Sequence, residues 1–285
     1  MNWQKRSCMF LVLVCLGAAG CTVTGDPEPV PRHDNTDSVI WLQSSTEYAA
    51  LTHGIYASAT TELQAFAETS TRPLDQFAIV LDVDETVLDN SPYQGQLVMD
   101  DATYEGESWD RWVALRAATE VPGVVDFIRS SQSLGVHVVF VTNRRCRPRP
   151  TTDDTCPQIE DTRVNLEAIG IDTSTTTLFL RGERPPQACR ALLTAAERGD
   201  GVWSSDKTSR RACVELDRDI LMLFGDQLGD FIEKHHDDGS VSGRQTANEY
   251  SDRWGKTWFM LPNPTYGGWR PRTSDDKRAL IRGID

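Results

Sequence analysis

Val80-Leu81-Asp82-Val83-Asp84-Glu85-Thr86-Val87-Leu88-Asp89-Asn90-Ser91-Pro92-Tyr93 passes from an apolar run into a dense set of carboxylates. The run begins at Phe77 and stops at Leu81. Short apolar runs closed by polar residues fit strands buried on both faces of a parallel sheet. Three more follow: Val136–Val141 before Thr142, Thr177–Leu180 before Arg181, and Ile220–Phe224 before Gly225-Asp226. Helical stretches separate them at Val121–Ser133, Gln158–Ile169 and Pro186–Arg198. This alternation predicts an α/β fold with a doubly wound, Rossmann-like parallel sheet. Ligands in such sheets bind beyond the carboxyl ends of the strands, so the chemistry is expected where the runs stop.

The first run delivers Asp82 and Asp84. Residues two apart on a strand point the same way, so both carboxylates can face one pocket. Two close carboxylates repel, so one ionises easily while the other keeps its proton longer, which suits a nucleophile and a general acid. The second run delivers Thr142 and Asn143, a hydroxyl and an amide able to hold an anionic oxygen. Lys207, in Ser204-Ser205-Asp206-Lys207-Thr208-Ser209, can balance the carboxylates and grip phosphate. The fourth run ends in Gly225-Asp226-Gln227-Leu228-Gly229-Asp230. Asp226 and Asp230, with Asp82 and Asp84, form an oxygen-ligand set suited to a hard cation such as Mg²⁺. The arginines at 144, 145, 147 and 149 read as a solvated loop, and His235-His236-Asp237-Asp238 as a solvated turn.

The rest of the chain frames this centre. Apolar residues at helical spacing from Ile40 to Glu68 predict one long amphipathic helix. Residues 90–120, rich in aromatics and acids, read as an insertion over the strand ends. Lys5 and Arg6 precede the apolar run Cys8–Gly20, which is too short to span a bilayer and suits a secretory signal. Ala18-Ala19-Gly20-Cys21 resembles a bacterial lipobox, so Cys21 is expected to carry lipid and hold the protein at a membrane. Cys146, Cys156, Cys189 and Cys213 remain, which permits two disulfides in an oxidising compartment. Three pairings are possible. Cys146–Cys156 with Cys189–Cys213 is preferred, because each closes a short segment. The net charge of the 285-residue chain is −13. That acidity excludes a basic nucleic-acid surface, and a nucleic-acid polymer is not an expected partner.

The order of these features resembles the haloacid-dehalogenase-like hydrolases. The segment quoted first is similar to the first signature of the class C non-specific acid phosphatases, which are bacterial outer-membrane lipoproteins. Ile220-Leu221-Met222-Leu223-Phe224-Gly225-Asp226-Gln227-Leu228-Gly229-Asp230-Phe231 resembles their second, with Gln227 in place of the usual Asn or Thr. Trp41-Leu42-Gln43-Ser44-Ser45-Thr46-Glu47-Tyr48 and the stretch from Gly255 to Trp269 are similar to further family segments. The resemblance runs from about residue 40 to 270. Residues 144–157 form a longer, Cys-bracketed loop than the family pattern has, and 182–203 is also expanded.

The resemblance implies a Mg²⁺-dependent acid phosphatase acting on small phosphomonoesters, nucleoside 5′-monophosphates foremost, at mildly acidic pH. Asp82 would attack phosphorus and form an aspartyl-phosphate. Asp84 would protonate the leaving alcohol and then activate water. Thr142 and Lys207 would bind phosphoryl oxygens. Asp82, the main-chain carbonyl of Asp84, and Asp226 would hold the metal, with Asp230 nearby. Tyr93, Trp109 or Trp112, and Tyr266 would flank a nucleoside base. It also implies 1–20 as signal peptide, 21–36 as tether and 37–285 as the phosphatase domain, with mostly helical cap elements from about 37–70 and 90–120. Two other readings remain, a phosphotransferase passing the phosphoryl group to an alcohol and a surface lipoprotein that only binds its ligand. The oligomeric state has no signature in the sequence.

Overall fold

The computed structural model describes residues 33–232, 243–270 and 274–283. The chain order is α1 (Thr36–Ser44), α2 (Thr46–Thr69), β1 (Phe77–Leu81), β2 (Leu88–Asp89), α3 (Ser91–Met99), α4 (Gly106–Leu115), β3 (Thr119–Glu120), α5 (Val124–Ser133) and β4 (His137–Arg145). It continues through α6 (Gln158–Ala168), β5 (Thr177–Arg181), α7 (Ala195–Asp200), α8 (Thr208–Val214), β6 (Asp219–Gly225), α9 (Gly243–Glu249), β7 (Trp258–Met260) and α10 (Ser274–Leu280). The signal, Cys21 and the pair His235-His236 lie outside the described residues.

Five strands form one sheet in the order β5-β4-β1-β6-β7, and every pairing is parallel. β1 shows why its sequence is apolar throughout. Ile79 and Leu81 enter the core on one face, with Tyr56 and Leu63 of α2 and Phe127 and Ile128 of α5. Ala78 and Val80 enter the core on the other face, with Trp203, Cys213 and Val214. With period-two alternation and both faces covered, no position on the strand can be polar. The chain leaves β1 toward β4 on one side and reaches β6 on the other, so the sheet changes winding direction at β1. That is where a doubly wound sheet opens a crevice for ligand.

Three details differ from the sequence expectation. The long first helix breaks at Ser45, whose Oγ accepts the Tyr48 N–H at 3.0 Å and caps α2. The helix expected over 186–198 is a short 3₁₀ turn, Gln187–Leu192, followed by α7. A fifth strand, β7, joins the sheet edge beside β6. Between β2 and β3, which pair antiparallel, the chain inserts α3 and α4. The preferred disulfides are present: Cys146–Cys156 with Cα atoms 4.4 Å apart, and Cys189–Cys213 with Cα atoms 5.2 Å apart. No described helix is long and apolar enough to cross a membrane.

Candidate active site

Asp82 follows β1 directly, and its N–H still donates to the Phe224 carbonyl of β6 at 2.9 Å. That bond carries the sheet ladder one residue past the strand and fixes where the carboxylate starts. Asp226 and Asp230 arrive from the end of β6. Oxygens of Asp82, Asp226 and Asp230 all fall within 4.8 Å of one another, and all three residues are buried. The approach depends on Gly225. A Cβ there would stand 2.3 Å from the Asp230 side chain. Asp230 is fixed further by the Gln227 N–H, which donates to its Oδ2 at 3.0 Å. Asn263 donates to Asp226 at 2.7 Å.

Lys207, just before α8, supplies the countercharge. Its Nζ pairs with Asp230 at 2.6 Å and also contacts Asp82 Oδ1. Burial alone would push this amine down, but Asp230 and Asp82 outweigh it and hold it above its ordinary value, so Lys207 is charged. The Asp82 carboxyl is pushed up to about 7, first by burial and then by Asp230 and Asp84, against the pull of Lys207. Asp226 rises well above the ordinary carboxylate range, by burial and by Asp230 and Asp82. Three carboxylates faced by one ammonium leave uncompensated negative charge in a buried place. All the donors are oxygens, so the residues fit a hard divalent cation.

Asp84 turns to a different set of partners. Arg144 donates to it from Nε at 3.0 Å and from Nη2 at 2.8 Å. Asn90 Nδ2 donates at 2.9 Å and the Thr142 hydroxyl at 3.4 Å. Arg144 is only 2 % exposed, so the expected solvated arginine loop is corrected at this position. Arg149 is paired too. It grips both oxygens of Asp110 on α4 at 2.8 Å and reaches Asp161 on α6 at 2.5 Å.

The remaining candidates fall in several places. Asn143 is exposed and uses its amide at both ends, donating to the Ser205 carbonyl at 3.1 Å and accepting from Arg210 at 2.8 Å. Tyr93 is buried and its hydroxyl meets Ser108 at 2.9 Å. Its ring lies edge-on to half-buried Trp109, 5.0 Å between centroids. Trp112 turns inward, its Nε1 donating to Asn90 at 2.8 Å. The Tyr266 hydroxyl donates to Glu85, a buried residue with left-handed φ of 58°.

Two arginines escaped the sequence reading as site components. Arg144 stands two residues beyond Thr142 on β4, the same spacing that relates Asp82 and Asp84. Arg210 stands three residues beyond Lys207, one helical turn away. It is fully buried and donates to the Thr142 carbonyl at 2.5 Å and the Ser204 carbonyl at 3.1 Å. It therefore binds the end of β4 to the loop that carries Lys207.

A family model described as HAD superfamily, subfamily IIIB (Acid phosphatase), matches residues 28–269. The chain belongs to this family. Two solved structures of the class C acid phosphatase from Bacillus anthracis are similar to this acid phosphatase. The one with tungstate bound shares 26% identity at a TM-score of 0.66. The other shares 26% identity at a TM-score of 0.65. Each match covers 87% of this chain and 97% of the other. The acid phosphatase is thus a phosphoric monoester hydrolase of class C, with a small phosphate ester as substrate. A divalent metal is typical of its superfamily, in keeping with the acidic cluster.

Proposed function

We propose that this acid phosphatase cleaves small phosphomonoesters, nucleoside 5′-monophosphates among them, by covalent catalysis at Asp82 with Mg²⁺ bound. The observation that carries the reading is the division of labour at the end of β1. Asp82 faces Lys207 and the acidic cluster, while Asp84 faces Arg144 and Thr142. The Bacillus anthracis relative was solved with tungstate, a tetrahedral oxyanion shaped like phosphate. That supports a phosphate site in the same crevice.

In the proposed reaction an Asp82 oxygen attacks phosphorus and the bond to the leaving alcohol breaks. Asp84 gives that alcohol its proton. Asp84 then takes a proton from water, and the hydroxide attacks phosphorus and releases Asp82. Lys207 and Thr142 hold phosphoryl oxygens. Asp82, Asp226 and the main chain at Asp84 would hold Mg²⁺, with Asp230 beside them. When bound, Mg²⁺ neutralises phosphoryl charge as the transfer proceeds. Trp109 and Tyr266 are the proposed flanks for a base. The leader and Cys21 support anchoring at the bacterial cell envelope, the outer membrane by resemblance.

The test is purified Asp82→Asn with p-nitrophenyl phosphate. Turnover is expected to fall by at least about 10³-fold with unchanged thermal unfolding. Turnover near the wild-type rate would reject covalent catalysis at Asp82.

A further inference from the structure

Arg145 ends β4, Arg181 ends β5 beside it, and Arg147 follows within the Cys-bracketed loop. Thr142 of β4 pairs with Leu180 of β5, and the next pair is Arg145 with Arg181. Asn143 and Arg144 are therefore bulged out between the two pairs. Arg145 and Arg181 stand as direct cross-strand neighbours, where like charges repel. The arrangement is fastened. The Cys146 N–H donates to the Arg181 carbonyl at 2.8 Å, and Cys146 is itself closed to Cys156. Arg147 comes next. Its guanidinium lies against Gly106, with Nη2 2.7 Å from where a Cβ would be.

Gly106 opens α4, the helix that carries Trp109, and Tyr104 lies two residues before it. The Trp109 ring joins these arginines to the reaction centre. It packs on Tyr104 at 6.3 Å and on the Arg144 guanidinium, the partner of Asp84, at 5.9 Å. Tyr104 is 62% exposed, and Arg147, Arg181 and Asp84 all act electrostatically on its hydroxyl. Arg147, Arg181 and Asp84 thus all lie within electrostatic reach of one exposed tyrosine.

Among the described residues, Arg145, Arg147 and Arg181 form no ion pair. Arg147 does act on Asp110, but Arg149 already holds both oxygens of that carboxylate. Three neighbouring cations without countercharge stand out on a chain of net charge −13. Arginine forks match phosphoryl oxygens in geometry and charge.

We propose that Arg145, Arg147 and Arg181 form a subsite for a second phosphoryl group, carried on the leaving-alcohol side of the substrate. The favoured substrates are then bisphosphorylated, with one phosphate at Asp82 and the other at the arginines. The proposal rests on Asp82 and Asp84 being the reaction centre.

The test compares adenosine 3′,5′-bisphosphate with adenosine 5′-monophosphate by initial rates, in the wild type, Arg147→Gln/Arg181→Gln and Arg147→Lys/Arg181→Lys. Either phosphate of the bisphosphate can be the one cleaved, since the other then lies at the arginines. In the wild type the ratio of kcat/KM is expected to favour the bisphosphate by about tenfold or more, through a lower KM. It should fall toward one in the Gln variant and in about 0.5 M salt, and survive in the Lys variant. The ratio is read within each protein, so a general loss of activity leaves it interpretable. A wild-type ratio near one overturns the subsite, as does a preference that persists in the Gln variant. Asp82→Asn separates the two levels. If it is inactive and the wild-type ratio is near one, the subsite alone is wrong. If it keeps wild-type turnover, the reaction centre lies elsewhere and the subsite falls with it.

Discussion

Arg144 holds Asp84 through both ends of its guanidinium fork, with Nε and Nη2 on Oδ1 at 3.0 and 2.8 Å. The same arginine donates to Thr162 of α6 at 3.2 Å, so the carboxylate is anchored to the core. Two charge-assisted bonds from one buried guanidinium fix the direction of the carboxylate.

Arg144→Lys keeps the charge and loses the fork. We expect kcat to fall about 10- to 100-fold with a small change in KM, because Asp84 is then misaimed. Steady-state kinetics would check this. An unchanged kcat contradicts the positioning role.

A metal bound at the acidic cluster would compete with protons for its carboxylates. The Asp82 carboxyl is raised from its ordinary 3.8 to about 7, and Asp226 moves the same way. For a raised carboxyl, the stability contribution is complete below the unfolded value and is lost as pH rises through the folded value. From Asp82 the metal-free protein therefore loses stability between about pH 4 and 7, and Asp226 acts in the same direction. Mg²⁺, if bound there as proposed, would replace the protons and relieve that loss. Its increment in Tm is expected to be larger at about pH 7.5 than at about pH 5, read by scanning calorimetry. EDTA should silence turnover, and Mg²⁺ should restore it.

Gly225→Ala puts a methyl group onto Asp230. Asp230 must move, and Lys207 loses one of its two carboxylate partners. Mg²⁺ affinity is expected to drop about tenfold or more, measured by titration calorimetry, with activity partly restored by excess metal.

Cys146→Ser/Cys156→Ser opens a loop with a sequence separation of 10. The loss should be about 2–3 kcal/mol, lowering Tm by roughly 5–10 °C. Arg149, which ties α4 to α6 from within that loop, should loosen with it. Non-reducing peptide mapping of the wild type should recover Cys146 joined to Cys156.

Strands β1, β4, β5 and β6 were legible because each is a short apolar run buried on both faces. The carboxylates at their ends were legible by position alone. β7 was not, since Trp258–Met260 is too short to show a period. The break at Ser45 was hidden because apolar spacing continues across it, with Trp41 and Tyr48 in ring contact at 5.4 Å. Arg144 and Arg149 looked like solvent-facing charge because their partners, Asp84, Asp110 and Asp161, are remote in sequence or on other elements. Composition marks a charge run as soluble. Only the tertiary fold shows which members of the run are enclosed.

Within the main sheet, β1 borders no strand from the adjoining chain. Its neighbours begin at His137 and at Asp219. Asp82 and Asp84 therefore leave the ribosome long before Lys207, Asp226 and Asp230. A chain interrupted before Asp219 leaves one side of β1 without its β6 partner and the two acids without Asp226 and Asp230. On the proposed chemistry, a chain that ends before Asp230 lacks part of the acidic cluster and is expected to have no phosphatase activity.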